Sequence, residues 1–465
     1  MPASPPTDLL VDAPPPDRRH AEALIGEARR RTRRRRRRAV LAALALAVAA
    51  VGGGFALAGG GRARSAQAGV AGLPRVDVDA FAGHGVLAFV SRGRLFVLDG
   101  TTRSLTAITR GAQTASAPQL SPNGRWLIYA VATPATSGER LVRSDGRDAR
   151  PIGQGARWLP DGALAFAGGL YRITARGRLQ RIGDAPSELG ASSPDADRFA
   201  FWVGTVAAGR DGRWRERWRL QVADTLRGRR TTWLSTLVSF DPRSGVHGEV
   251  PDGIVVLPHR EGILLWFDPD NGDDADGRPL YEITRPGGPA TLLAVTVGSE
   301  VSPGPDGTLA IGAGGNRYAW RTKTVETCTV ASATCVPVPA ASGELSFDPA
   351  WAPDGRALAF VEAPPSTHAD FYQSTVTSWY AEHRLWLLRT GSRHPVEIPG
   401  TAGAATPTWS GDSRSLLYVA DDALWLIPAL GARPAEVAAP LFVPSDWPSY
   451  YGQIAWTAQF SWASP

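Results

Sequence analysis

Trp351–Pro364 reads WAPDGRALAFVEAP, a turn that runs directly into an apolar strand. Proline fixes φ at the turn, the aspartate side chain accepts from nearby backbone N–H groups, and glycine accepts positive φ. The residues that follow alternate, Leu358 and Phe360 on one side and Ala357 and Ala359 on the other, which is the period of a strand. The pattern recurs as LSPNGRWLIYA (Leu120–Ala130), WLPDGALAFAG (Trp158–Gly168), SSPDADRFAFW (Ser192–Trp202), VPDGIVVL (Val250–Leu257), GPDGTLAIG (Gly304–Gly312) and WSGDSRSLLYV (Trp409–Val419). Its turn positions are Asn123, Asp161, Asp195, Asp252, Asp306, Asp354 and Asp412, spaced by 38, 34, 57, 54, 48 and 58 residues.

In three copies a tryptophan precedes the turn (Trp158, Trp351, Trp409), so a first strand ends there. After the launched strand comes another apolar run, RLWLLRT (Arg384–Thr390) or ALWLIPAL (Ala423–Leu430), then a polar turn and a last short strand such as HPVEIPG (His394–Gly400). Each unit is thus four short strands, and the spacings bracket the 40–50 residues of a propeller blade. No long amphipathic helix separates the units, which excludes a parallel α/β sheet. A lone four-stranded sheet cannot bury both of its faces, whereas radial packing of several covers them and leaves only short edges. GVLAFVSRGRLFVLDGTTRSLTAITRG (Gly85–Gly111) holds the later strands of a unit without its first, and GQIAWTAQFSWA (Gly452–Ala463) is a strand without a unit. The expected fold is therefore all-β, a β-propeller of seven or eight four-stranded blades in which the C-terminal strand completes the first blade.

These units resemble the WD40-like repeats of the TolB family of bacterial propellers, whose copies carry Trp-Ser-Pro-Asp-Gly ahead of an apolar strand. The resemblance spans residues 83–463 and keeps the tryptophan at Trp158, Trp351 and Trp409. It implies an extracytoplasmic propeller used for protein or ligand binding, and its motif marks structure rather than a site. The chain departs from TolB itself in its apolar N-terminal stretch and in leaving only about 20 residues between that stretch and the repeats, no room for a small α/β domain.

Net charge is +6, and residues 1–38 alone, with 11 arginines and 5 acidic residues, account for it. The rest is neutral, so nothing in the repeats reads as a nucleic-acid surface. Arginine outnumbers lysine 49 to 1. RRRTRRRRRR (Arg29–Arg38) leads into AVLAALALAVAAVGGGFALAGG (Ala39–Gly60), 22 residues without a charge. As a helix that stretch spans roughly 33 Å, enough for a bilayer core of about 30 Å. The arginines on its flank place that side in the cytoplasm. The expected organisation is a cytoplasmic Arg-rich tail (1–38), a transmembrane helix (39–60), a linker (61–82) and a propeller (83–465) outside the cytoplasm. A cleaved signal peptide ending near Ala66-Gln67-Ala68 is the competing reading. Both put the repeats outside the cytoplasm.

Cys328 and Cys335 flank TVASAT and face each other if that segment is a tight hairpin around Ala331-Ser332, with Cα atoms about 5.5 Å apart. Export permits the disulfide, whereas two cysteines without a nearby histidine fall short of a zinc site. Asp268, Asp270 and Asp273, in DPDNGDDADG (Asp268–Gly277), are weak metal candidates on a loop without calcium-loop spacing. In RWRERWRLQV (Arg213–Val222) an extended chain puts Arg213, Arg215, Arg217 and Arg219 on one face. That row fits bidentate recognition of phosphates or anionic glycans, or equally the exposed face of an outer strand that discourages edge pairing. Two long loops carry Phe371, Tyr372, Trp379 and Tyr380, and Trp447, Tyr450 and Tyr451; these aromatics either pack back on the blades or offer the best partner surface.

Propellers also cap peptidases of the prolyl oligopeptidase family, but the Gly-x-Ser-x-Gly elbow of their hydrolase domain is missing here. The seven histidines are scattered, and no Walker loop or dinucleotide fingerprint occurs. No cofactor is expected. The sequence therefore points to a membrane-anchored binding or scaffold module without catalysis, its partners a protein or envelope glycan outside the membrane and the lipid bilayer through residues 39–60, with no nucleic acid. The alternatives are a sensor signalling through the Arg-rich tail and an enzyme with a site at the central channel.

Overall fold

The computed structural model describes residues 73–464, except 112, 134–136, 185–188, 193–197, 209–213, 225–228, 241–249, 259–261, 269–276, 316–318, 342, 367–377 and 442–455. The anchor stretch Ala39–Gly60 lies outside the described residues, and no helix among those described is long and apolar enough to cross a membrane.

The described strands form seven antiparallel sheets, five of them four-stranded. The five-stranded sheet is a set of four plus Arg75–Val76, which pairs with the outer strand Ala435–Ala439. The seven-stranded sheet is two sets sharing one long strand, Thr291–Pro303. As far as Thr296 this strand pairs outward with Arg278–Ile283; after a register break, Val301–Pro303 pairs with Thr308–Ala313 as the inner strand of the next set. The described residues therefore hold eight sets of four, each running from inner to outer strand in chain order. The exception is the set whose inner strand, Phe460–Ala463, comes from the C-terminus and pairs with Val86–Phe89, as the orphan segment led us to expect. We number these blades 1 to 8 from that composite set.

Period two explains the assembly. In the second strand of blade 7, Ala357, Ala359, Val361 and Ala363 pack against blade 8, while Leu358 and Phe360 pack against blade 6. In the second strand of blade 1, Leu87 and Phe89 face blade 8, and Ala88 and Val90 face blade 2. The same alternation runs through blade 5, where Ile263, Leu265 and Phe267 face blade 4 and Leu264 and Trp266 face blade 6. Eight apolar clusters result, one between each pair of consecutive blades and one between blade 8 and blade 1. Each fully buried leucine or phenylalanine in them contributes roughly 1.5–3 kcal/mol. This closed succession is the arrangement of a β-propeller.

The turns work as their chemistry predicts. Asn123, Asp161, Asp354 and Asp412 each accept at Oδ1 from the backbone N–H two residues on, at 2.9–3.1 Å. Gly124, Gly162, Gly307 and Gly355 follow with positive φ, and Ser413 takes that conformation without being glycine. The preceding tryptophans clasp neighbours: Trp158 Nε1 donates to Gln119 O of blade 2 at 3.0 Å and Trp409 Nε1 to Ala350 O of blade 7 at 2.9 Å. Trp351 Nε1 finds no acceptor among the described residues. A further repeat sits just upstream: Ala117, Asp348 and Thr406, each before a proline, hold φ of 50° at a bulge in the inner strands. Proline is tolerated there because an inner strand is an edge with no neighbour to receive its N–H.

Three expectations are corrected. Pro251–Gly253 does not turn; it lies within the inner strand Val250–Val256 of blade 5, where a bulge between Pro251 and Gly253 absorbs it. The arginine strand Trp214–Ala223 is not an outer strand but the third of four, paired on both edges, so its arginines guard no edge. Residues 73–82, expected within the linker, join the folded body: the alternating apolar residues Val76 and Val78 pack on the blade 8–blade 1 cluster together with fully buried Phe81. Asp195 and its turn lie outside the described residues.

A matched pair of substitutions separates strain from interblade crowding. Forcing an L-residue to positive φ costs roughly 1–2 kcal/mol. A Cβ on Gly162 meets nothing within 4 Å, whereas on Gly355 it falls 2.5 Å from Pro305 Cγ of blade 6. Thermal unfolding should therefore show Gly162→Ala mildly destabilised and Gly355→Ala markedly more so.

Candidate functional site

Polar groups of blades 6, 7 and 8 converge at their inner strands. Glu300 lies on Thr291–Pro303, in the register break opposite Gly312, whose missing side chain makes room for its carboxylate. Lys323, just ahead of the blade 6 strand Thr324–Thr329, is 1% exposed and forms an ion pair with Glu300 Oε1. Glu300 Oε2 has no hydrogen-bond partner among the described residues. From blade 7, Asp348 enters at its bulge, half-buried, and accepts the Thr406 N–H of blade 8 at Oδ2, 2.8 Å away.

A helical turn at 378–381 closes the group from one side. Trp379 stacks near Phe347 at 5.6 Å between centroids and donates from Nε1 to Pro364 O at 2.9 Å. His383 is fully buried, with its ring 4.3 Å from Trp379 and 4.6 Å from Tyr380. Its Nδ1 lies 3.2 Å from Ala404 O, and its Nε2 has no partner among the described residues.

Burial sets the electrostatics. It lowers the Lys323 amine to about 7, opposed by the Asp348 carboxylate. It raises Asp348, against bonds from Thr406 and the charge of Lys323. It raises the Tyr380 phenol, an effect to which Asp348 adds, and it holds His383 neutral with a pKa of about 3. Asp348 and Tyr380 are the half-buried titratable groups in this cluster. A carboxylate and a phenol backed by an amine near neutrality can accept and donate hydrogen bonds to a polar ligand, and can exchange protons with one.

Cys328 and Cys335 are bonded, with Cα atoms 4.0 Å apart, and Val330–Ser332 forms the turn between them. Their pairing is side by side across the hairpin, closer than the expected 5.5 Å. With Glu326 they form a potential ligand group, but the bond leaves no thiolate for a metal. Trp379 and Tyr380 turn inward onto blade 7, because their rings bury against Phe347 and His383. Asp270, Asp273, Phe371, Tyr372, Trp447, Tyr450, Tyr451 and Arg213 lie outside the described residues, as do the side chains of Asp268 and Arg215. Arg217 is exposed and Arg219 half-buried on blade 4, away from the cluster. The sequence reading missed Glu300, Lys323, Asp348 and His383. One signal was available: Lys323 is the only lysine in a chain with 49 arginines. A compact amine that loses its proton readily on burial is what arginine cannot replace.

No known protein family matches the sequence, and no curated protein is significantly similar to it. Solved structures are similar in fold. An oligogalacturonate lyase in complex with manganese is 12% identical, with a TM-score of 0.38, over 80% of this chain and 89% of the other. A putative TolB from Agrobacterium tumefaciens is 11% identical, with a TM-score of 0.33, over 77% and 91%. A prolyl endopeptidase is 11% identical, with a TM-score of 0.39; 78% of this chain matches and covers only half of that one. These likenesses concern the fold alone. The expectation of a chain without catalysis is corrected here, because structures of similar fold include a lyase and an endopeptidase.

Two predictions follow from the buried charges. Removing one partner of a buried ion pair typically costs about 3–5 kcal/mol, so Lys323→Met should lose that much in denaturant unfolding, while Lys323→Met with Glu300→Gln should recover most of it. Elsewhere in blade 7, burial and the nearby Glu344 and Glu397 raise buried Glu362 to about 7. A carboxyl raised from 4.5 binds its proton more tightly in the folded chain, so stability falls as pH rises from 4.5 to 7. Glu362→Gln, which keeps an acceptor for the Ala341 N–H, should raise the melting temperature at pH 8 and leave it nearly unchanged at pH 4.5.

Proposed function

We propose that the chain is an exported propeller, held at the cell membrane through residues 39–60 with residues 1–38 in the cytoplasm, that binds a hydroxyl-rich ligand at the inner strands of blades 6–8. An envelope glycan is the partner of that chemistry in this location. The observation that carries the reading is half-buried Asp348 beside Tyr380, backed by the buried Lys323–Glu300 pair. Sites for small polar ligands use a few polar groups fixed by packing, and here the Thr406 N–H fixes the carboxylate. The Cys328–Cys335 bond supports export, since such bonds persist in oxidising compartments. The arginine run before residue 39 supports the orientation.

A catalytic reading uses the same groups. A raised carboxyl at Asp348 facing an amine held at about 7 at Lys323 is a pair suited to proton transfer near neutrality.

Calorimetric titration of the full-length protein in mild detergent with soluble peptidoglycan fragments tests both. Asp348→Asn, which keeps an acceptor for Thr406, should weaken binding at least about tenfold, or ~1.4 kcal/mol, with an unchanged melting temperature. Equal affinity in the two proteins, or no binding by the wild type, sinks the glycan reading. Mass spectrometry of the recovered fragments shows cleavage only if the catalytic reading holds. Labelling by a membrane-impermeant reagent on intact cells checks the orientation.

A further inference from the structure

Blade 4 differs from the other seven. Its second, third and outer strands, Phe199–Ala208, Trp214–Ala223 and Thr231–Phe240, are each 10 residues long. The inner strand Leu189–Ser192 pairs only with Phe199–Phe201, so the other three continue together beyond it, in register as far as Ala208↔Trp214 and Trp214↔Phe240.

Open sheet edges invite another strand, and proteins blunt them by shortness, charge, proline or cover. The outer strands of the other blades each carry such a device. Ser104–Ala107 and Val396–Glu397 have four and two residues. Arg150–Ile152 and Thr334–Pro337 contain proline, and Leu179–Asp184 contains Arg181 and Asp184. Ala435–Ala439 is covered by Arg75–Val76, and the outer strand of blade 5 runs on into blade 6. Thr231–Phe240, reading TTWLSTLVSF, has neither charge nor proline. Among the described residues one backbone hydrogen bond reaches it from outside its sheet, from Gly287 N–H to Trp233 O at 3.0 Å, and no further strand pairs with its outer edge.

Beside this edge lies the arginine strand. Arg217 sits opposite Leu237 and Arg219 opposite Ser235, so both arginines occupy the same face. Arg217 is exposed, and Arg219 Nε has no partner among the described residues. We propose that the outer edge of Thr231–Phe240 receives an extended acidic segment of a partner protein as a fifth strand, its alternate carboxylates facing Arg217 and Arg219. Strands lie 4.7–4.9 Å apart, so the added strand stands roughly 10 Å from the arginine strand, a gap that an arginine and a glutamate side chain bridge together. Main-chain pairing supplies the affinity and the arginines choose the sign of charge. The inner edge of Phe199–Ala208 is also unpaired beyond Phe201, but it faces the inner strands, whereas Thr231–Phe240 is the outermost strand of its sheet.

The test is fluorescence anisotropy of full-length protein in mild detergent with a labelled eight-residue peptide alternating glutamate and valine. A lysine–valine peptide of the same pattern is the control. The acidic peptide should bind at least tenfold more tightly than the basic one, and Arg217→Gln with Arg219→Gln should remove that preference. The melting temperature confirms that the variant is folded. Equal binding of both peptides, no binding of either, or a preference that survives in the double variant overturns the proposal. A wild-type dimer by light scattering that Thr236→Lys converts to a monomer overturns it as well, since a second copy would then occupy the edge.

Discussion

A small sheet that is apolar on both faces has no stable existence in water, and the described residues form eight of them. Val361 and Phe360 are adjacent in sequence and both fully buried, yet they face different neighbours. Each blade's second strand is therefore a shared wall, and no blade is complete until both neighbours are in place. The requirement passes from blade to blade and is met only when blade 8 packs on blade 1. Turns, tryptophan clasps and inner-strand bulges all act to hold the sheets at the spacing this mutual covering needs.

Within that frame buried polar side chains occur on most blades, and one set of ionisable groups is clustered. Glu300 and Lys323 come from blade 6 and Asp348, Tyr380 and His383 from blade 7, with Thr406 of blade 8 bonded to Asp348. A buried ion pair is a weak source of stability, since desolvation offsets most of its attraction. Its presence between blades packed chiefly through apolar side chains marks a place where composition departs from what packing alone would select. The αL bulge at Asp348 is not itself that departure, because Ala117 and Thr406 share it. What differs at Asp348 is the side chain, which caps the next blade and faces an amine.

Much of the ring was legible in the sequence because its rules are local. Proline, aspartate and glycine fix a turn within three residues, and period-two alternation assigns faces within a strand. The orphan first blade and the final tryptophan-rich strand could be matched because each lacked what the other had. Reading failed where the signal depends on neighbours. Pro251-Asp252-Gly253 carries the letters of a turn, but a bulge lets it lie inside a strand. The arginine alternation gave the correct faces of its strand, while the order of strands in the sheet is invisible to a pattern confined to one of them. The bulge prolines Pro118, Pro349 and Pro407 were in plain view and went unread, since an X-Pro pair is ambiguous without knowing that the strand is an edge. The polar cluster was least legible, because positions 300, 323, 348 and 383 are neighbours only after blades 6 and 7 have packed together.

The origin of the strand that completes blade 1 has a consequence for how such a chain is made. Phe460–Ala463 is synthesised after every other strand of the ring, so until it emerges blade 1 lacks its inner strand and the clusters on its two sides lack Phe460 and Ala463. Closure of the ring is thus deferred to that strand, and a chain waiting for it is exposed to chaperones and proteases for as long as the wait lasts.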